Sequence, residues 1–395
     1  MKKNYKVVQK VDCIIVGAGI FGLYAASLLV KKGQTVAIVD KSTRPFSRAS
    51  ATNQARVHNG YHYPRSYDTA EEVAHYYSRF IRDFNFAINN SFEQIYAIAS
   101  SGSKTSAKDF VNFCERVNIP LKKINADRYF KRGSVEDAFR VQECSFDFTK
   151  IRDFLVDKVK NSARCYYGVD IKSVEKRNPS YVVALDNGIC LSAPLVINAS
   201  YAGINEVIDK FDQQPFDLKY ELCEMVLCEV PKEFRNLGIT VMDGDFFSVV
   251  PFGSSDFHVL TSVGHTPHNV SDGKIPNFRD EADQSVCKIH WVSGCIVCSQ
   301  NLKSAWSKMY ELSRAFLKPN FRIDYKDSKF EIKAILRASE NDDSRPTIMK
   351  QHTTNPTLVS ILSGKISTIY DLEKICGQLD RLEASSVKAS YVSLD

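Results

Sequence analysis

Three glycines spaced as Gly17-x-Gly19-x-x-Gly22 stand between an apolar run, Cys13-Ile14-Ile15-Val16, and a stretch of good helix formers over residues 23–32. That order suits the binding of a diphosphate. Gly17 would permit a tight turn, Gly19 would let the backbone approach phosphate oxygens, and Gly22 would let the helix lie close to the strand. The helix start, with Ile20 in its first turn, offers unpaired N–H groups and a partial positive charge to an anion. A second β-branched run, 35–39, ends in Asp40, about 20 residues on, where a carboxylate can accept hydrogen bonds from ribose hydroxyls. Lys41 follows it directly.

A second group of chemistry-bearing residues occupies 47–65. Ser50, Ala51, Thr52, Asn53 and Gln54 form a small, hydroxyl- and amide-rich stretch, and Val57-His58-Asn59-Gly60-Tyr61-His62 sets two imidazoles beside it. His58 is a candidate for taking a proton from a substrate heteroatom. A loop rich in His and Tyr reads by itself as a hydrogen-bonded turn. Its place directly after a nucleotide fingerprint makes it a candidate site. His58 and His62 are four apart but lack the acidic partner of a zinc-binding helix, so no metal is expected. Cys295-Ile296-Val297-Cys298 has no second cysteine pair or spaced histidines, and reads as buried free thiols.

Farther on, Arg337 and Arg345 flank an acidic loop, Glu340-Asn341-Asp342-Asp343. A guanidinium fork suits a carboxylate or phosphate, although each arginine suits a surface ion pair with these acids equally well. The Arg345-Pro346 step restricts Arg345 to extended backbone. Ser363-Gly364-Lys365-Ile366 then opens a turn between a strand at 358–362 and a helix expected over 370–379. Tyr220, Glu224, Phe247, His265 and His268 also catch the eye, and each is better read as packing or surface.

The elements that must position these residues follow from pattern. Helices are expected over 68–89, 108–117, 150–161 and 306–316, and strands at 164–167 and 169–175. A hairpin is expected at 181–191 around Asp186-Asn187-Gly188. Residues 224–230, 246–250 and 258–263 read as antiparallel strands.

At 395 residues the chain can form two lobes, and its 44% hydrophobic and 25% charged residues are those of an ordinary globular protein. No run of residues is apolar for long enough to suggest a membrane span. The start of the chain leads straight into a strand pattern, and the eleven cysteines are odd in number and scattered. Both favour a cytoplasmic protein with reduced thiols. A net charge of +6 without a concentrated basic tract gives no argument for nucleic acid.

Residues 10–65, 165–203 and 335–375 resemble the D-amino-acid oxidase/glycerol-3-phosphate dehydrogenase superfamily of flavoenzymes, and the likeness runs over nearly the whole chain. The resemblance implies FAD and an α/β fold: a Rossmann-like FAD-binding domain with a doubly wound sheet, and an inserted antiparallel β substrate domain. On that pattern residues 1–90, 146–212 and 336–395 build the FAD-binding domain, 91–145 a helical cap, and 213–335 the substrate domain. Gly17, Gly19, Ile20, Gly22, Asp40, Lys41, Ser50, Ala51, Asn53 and Gln54 would line the cofactor, with His58 beside the flavin. Backbone groups of Ile171 would read the adenine edge, and Ala199 and Ser200 would make a second nucleotide contact. The family usually has Thr-Gly after that alanine, where this chain has Ser200-Tyr201. Gly364, Lys365 and Ile366 would face the flavin C2 carbonyl, where a helix N-terminus favours negative charge.

The implied reaction moves a hydride from a CH–NH or CH–OH group of a small anionic substrate to flavin N5. Amino acids, hydroxy acids, sugar acids and glycerol phosphate all fit that class. Arg345 and Arg337 would hold the anionic group, and oxygen, a quinone or a protein would take the electrons. Two other classes stay open at this stage: a flavoenzyme without net redox, such as a sugar isomerase or mutase, and a non-catalytic nucleotide-binding module.

Overall fold

The strand Cys13–Val16 is buried at every position because both faces of its sheet are covered, so its sequence is an unbroken apolar run. In this computed structural model, which describes residues 8–278, 302–339 and 346–374, it lies inside a six-stranded sheet. The spatial order is Ala163–Tyr167, Val36–Asp40, Cys13–Val16, Leu195–Asn198, Thr357–Leu362 and Ile348–Thr354. The first five strands are parallel, and Ile348–Thr354 returns antiparallel at the edge.

Alternate residues of the first strand serve different layers. Cys13 and Ile15 share a core with Leu23, Ala26 and Leu29 of the helix Ile20–Lys31, which packs in turn on the helix Phe148–Val159. Each fully buried leucine there contributes about 2 kcal/mol. Ile14 and Val16 belong to a second core with Tyr181, Val183 and Leu191. These come from a four-stranded sheet built on the expected hairpin, Ser180–Leu185 and Cys190–Ala193. One face of the parallel sheet is therefore covered by helices and the other chiefly by this small sheet.

The second lobe is a nine-stranded, mainly antiparallel sheet. Its longest pair, Leu218–Glu229 and Asp324–Leu336, runs in register from Leu218↔Leu336 to Glu229↔Asp324 with one bulge. Phe247–Pro251 and His258–Ser262 continue it as the pattern predicts. Residues 91–145 depart from the helical cap expected of them. Ala107–Val117 is their one α-helix, whereas Glu93–Ala99, Leu121–Ile124 and Val135–Val141 extend the sheet, Glu93–Ala99 pairing in parallel with Leu237–Met242. Gln94 to Ala99 are all buried. A strand covered on both faces loses the alternation that would distinguish it from helix.

A three-stranded sheet joins distant parts of the chain. Cys144–Phe146 pairs with Arg56–Val57 and with Ile88–Asn89. The antiparallel register Val57↔Cys144 sets His58 and Glu143 opposite each other just beyond the pair. The seven cysteines among the described residues are free thiols, and Cys295 and Cys298 lie outside the described residues. No helix among the described residues is long and apolar enough to cross a membrane.

Candidate active site

A cavity of about 680 Å³ is lined by residues of both lobes, within the roughly 300–1,000 Å³ of cofactor clefts. At one end the backbone shapes it. Gly17 sits at φ +105°, and a Cβ there would come 2.6 Å from the Ala199 carbonyl oxygen. A Cβ on Gly22 would lie 1.8 Å from the Gly17 oxygen, so the helix can approach the strand only with glycine here. Gly22 is thus a packing residue, outside the cavity lining, whereas Gly17, Gly19 and Ile20 line the cavity. The Ser50 hydroxyl accepts the Ile20 N–H at 3.0 Å, bringing the 47–54 loop onto the helix start.

Asp40 closes this end. One carboxylate oxygen accepts the Ala18 N–H at 2.5 Å and the other the Ser42 N–H at 2.7 Å, which fixes its orientation while leaving lone pairs for further donors. The Lys41 ammonium is 2.5 Å from Glu206 and 3.5 Å from Asp170. Asn53 ties its loop through the carbonyls of Ala49 and Ser50, and Gln54 donates to Thr261 across the lobe boundary at 3.0 Å. Ala51 lies in the same turn, its N–H bonded to the Arg48 carbonyl, but is not part of the cavity lining.

Ile171, Ala199 and Ser200 also line the cavity. The Ile171 N–H donates to the Asp170 carboxylate at 2.6 Å, and its carbonyl accepts from the Lys210 ammonium. These backbone groups therefore already have protein partners. The Ser200 hydroxyl donates to Asn198 at 2.6 Å.

The other end is built from side chains. Glu143, which sequence reasoning missed, is buried, with one carboxylate oxygen accepting from Arg56 at 2.6 Å and from the Tyr96 hydroxyl at 3.0 Å. Its other oxygen lies 3.3 Å from His58 Nδ1 and 3.3 Å from the Asn59 N–H. Arg56 is itself buried and reaches Ser248 in the second lobe at 3.3 Å. Burial acts to raise the Glu143 pKa, but Arg56 and His58 overcome it and hold the carboxyl well below the usual range.

His58, His62, Tyr63 and Lys365 gather at the cavity beside this network. The His58 ring centroid is 5.5 Å from that of His62 and 6.1 Å from that of Tyr63. Lys365 places its ammonium 4.5 Å from the Tyr63 ring centroid. Burial, reinforced by Lys365, pushes His58 down to about 4, although Glu143 acts the other way. Burial likewise lowers His62 well below its ordinary value. Lys365 falls to about 7 through burial and repulsion from Arg56. The Tyr63 hydroxyl and His62 Nδ1 are buried and have no hydrogen-bond partner among the described residues.

Lys365 is held by a turn in which its N–H donates to the Ser363 hydroxyl at 3.1 Å. The following helix starts earlier than its sequence suggests, as a 3₁₀ segment Ile366–Asp371. Gly364, Lys365 and Ile366 line the cavity. Arg337 does not. Its guanidinium pairs with Asp272 at 2.7 Å and Asp217 at 3.1 Å, so neighbouring acids satisfy it at the surface. Arg345 lies outside the described residues. Of the middle-chain side chains, Glu224 is buried under His268 at 2.8 Å, Ser304 at 2.5 Å and the Ala305 N–H at 2.9 Å, and anchors the approach to the helix Trp306–Phe316.

The residues present fit FAD. The glycine turn, the helix start, Asp40 and the 50–54 loop would hold a dinucleotide's diphosphate and ribose, and His58, His62, Tyr63 and Lys365 line the same cavity. Comparison with known proteins agrees. Solved structures share the fold over nearly the whole chain: glycine oxidase from Geobacillus kaustophilus at a TM-score of 0.68 and 12% identity, covering 97% of both chains; and L-alpha-glycerophosphate oxidase from Mycoplasma pneumoniae, with FAD bound, at 0.69 and 14%, also covering 97% of both. A curated relative, the FAD-dependent monooxygenase FPY4 of Fusarium mangiferae, is 24% identical over 259 residues, which span 64% of this chain and 64% of that protein's length. Residues 12–307 match the family described as DAO, FAD dependent oxidoreductase, and the chain belongs to that family.

Proposed function

We propose that this chain oxidises a CH–NH or CH–OH group of a small anionic substrate, with His58 taking the heteroatom proton. The observation that carries the reading is one cavity lined both by the glycine turn and helix start and by the side chains of His58 and Lys365. When bound, FAD supplies the two-electron oxidant that accepts the hydride. The protein's own part is to bind, orient and manage a proton.

Burial keeps His58 unprotonated at neutral pH, so its ring can accept a proton. Lys365 adds positive charge at the same end, and Arg345 remains the candidate for a bidentate grip on a carboxylate or phosphate. Arg337 is withdrawn from that role by its two aspartates. The names of the related folds, a glycine oxidase and a glycerophosphate oxidase, support a small amino- or hydroxy-bearing anion. A non-redox flavoenzyme finds no such support.

The test is to mix FAD-loaded protein anaerobically with small amino acids, 2-hydroxy acids, sugar acids and glycerol phosphate while following flavin absorbance. Bleaching by one class, with stoichiometric oxidised product, is expected. A flavin that none of these anions reduces, although dithionite does, would contradict the proposal.

A further inference from the structure

The His58 imidazole can take a substrate proton only if its cavity-facing nitrogen carries a lone pair. Which nitrogen bears the ring proton is decided by what lies behind the ring. Behind it lies Glu143, 3.3 Å from Nδ1. Among the described residues, no protein group is hydrogen-bonded to Nε2, and the ring lines the cavity.

Glu143 is committed on all sides. Arg56 at 2.6 Å and the Tyr96 hydroxyl at 3.0 Å donate to one oxygen, and the Asn59 N–H at 3.3 Å donates to the other. A buried carboxylate ion-paired to a buried guanidinium is ionised and can only accept hydrogen bonds. Its remaining contact, to His58, must therefore be received from a donor. We infer that Glu143 is the positioning residue of this site: it fixes His58 in the Nδ1–H tautomer and so leaves Nε2 free to take the heteroatom proton.

The other groups around the ring do not compete for Nδ1. Arg56 on the adjoining strand and Lys365 on the C-terminal turn are cations that disfavour a charged ring. His62 and Tyr63, from the same loop, meet it ring to ring at 5.5 and 6.1 Å. The fold sets the pairing through backbone register: Val57 lies opposite Cys144, so the next residue of each strand meets its counterpart. This inference rests on the proposed role of His58 but not on the identity of the substrate.

A Glu143→Gln substitution makes the idea testable because the network dictates which way the amide turns. Arg56 and Tyr96 both donate toward one position, so the amide oxygen must face them. The amide NH₂ then faces His58 and donates to Nδ1, which moves the ring proton to Nε2; the Asn59 N–H loses its acceptor on that side, one donor left over against the two that hold the amide oxygen. The side chain keeps its size while the tautomer inverts, and the base is blocked.

The experiment is ¹⁵N NMR of histidine side chains in the FAD-loaded protein at neutral pH. The chain has eight histidines, so the His58 signal is assigned by its loss in His58→Gln. The wild type is expected to show His58 as Nδ1–H, and Glu143→Gln to show it as Nε2–H. With any substrate that bleaches the flavin, kcat for Glu143→Gln should fall about 100-fold or more with KM little changed. An Nε2–H tautomer in the wild type would overturn the inference. So would a folded Glu143→Gln that retains Nδ1–H and full kcat. Should that variant not fold, the wild-type tautomer decides alone. Because it is read without substrate, failure of the oxidation proposal leaves this result separately legible.

Discussion

The two ends of the cavity are built in opposite ways. The nucleotide end is made of backbone: glycines that allow close approach, a helix start and one carboxylate. Its key bonds are short in sequence, Ala18 to Asp40 across 22 residues and Ile20 to Ser50 across 30. The end proposed for catalysis is made of buried charge. Arg56 reaches Tyr96, Glu143 and Ser248 across 40, 87 and 192 residues. A backbone cradle tolerates side-chain change but not added volume. A buried ion network does not tolerate the loss of a partner.

The largest effect should come from adding volume to the cradle. In Gly19→Val, the first added carbon would already lie 3.0 Å from the Ser50 hydroxyl, and the branch beyond it would obstruct the diphosphate. The folded variant should lose FAD on gel filtration; normal flavin content would remove Gly19 from the cradle. At the other end, Arg56→Met conserves bulk but strands the Glu143 carboxylate. Breaking such a pair costs about 3–5 kcal/mol, read as a lower denaturation midpoint, and an unchanged midpoint would show that the network carries little.

How far each end was legible follows from the same contrast. The glycine fingerprint, Asp40 and the Gly364-Lys365 turn could be read because local spacing fixes their geometry. The parallel sheet and the hairpin at 180–193 were equally plain. Glu143 was not. It stands just before the strand Cys144–Phe146, and nothing in the local pattern shows that the register with Arg56–Val57 buries its carboxylate between an arginine and a histidine. The strands within 91–145 were missed because burial on both faces removes their alternation. Arg337 looked like an anion ligand because a guanidinium has the same chemistry on a surface aspartate as on a substrate.

Smaller effects sharpen the comparison. Arg345→Met should raise KM for the anionic substrate about tenfold, the scale of one charge-assisted hydrogen bond, without altering FAD retention; an unchanged KM would exclude it from the site. The Lys365 pKa is lowered to about 7, mainly by burial, so its ammonium is present below that pH and lost as pH rises through it. KM should therefore climb above pH 7, and a pH-independent KM would dissociate Lys365 from anion binding. Arg337→Met should change least. A partly exposed ion pair is worth no more than about 1 kcal/mol, and KM should stay at the wild-type value.

The most direct measurement of the whole account is the visible absorbance spectrum of the purified protein after incubation with FAD and gel filtration. Retained flavin bands, lost in Gly19→Val, are the predicted result. A folded wild-type protein that emerges colourless and takes up no added FAD would contradict the cradle, and with it the chemistry assigned to the cavity.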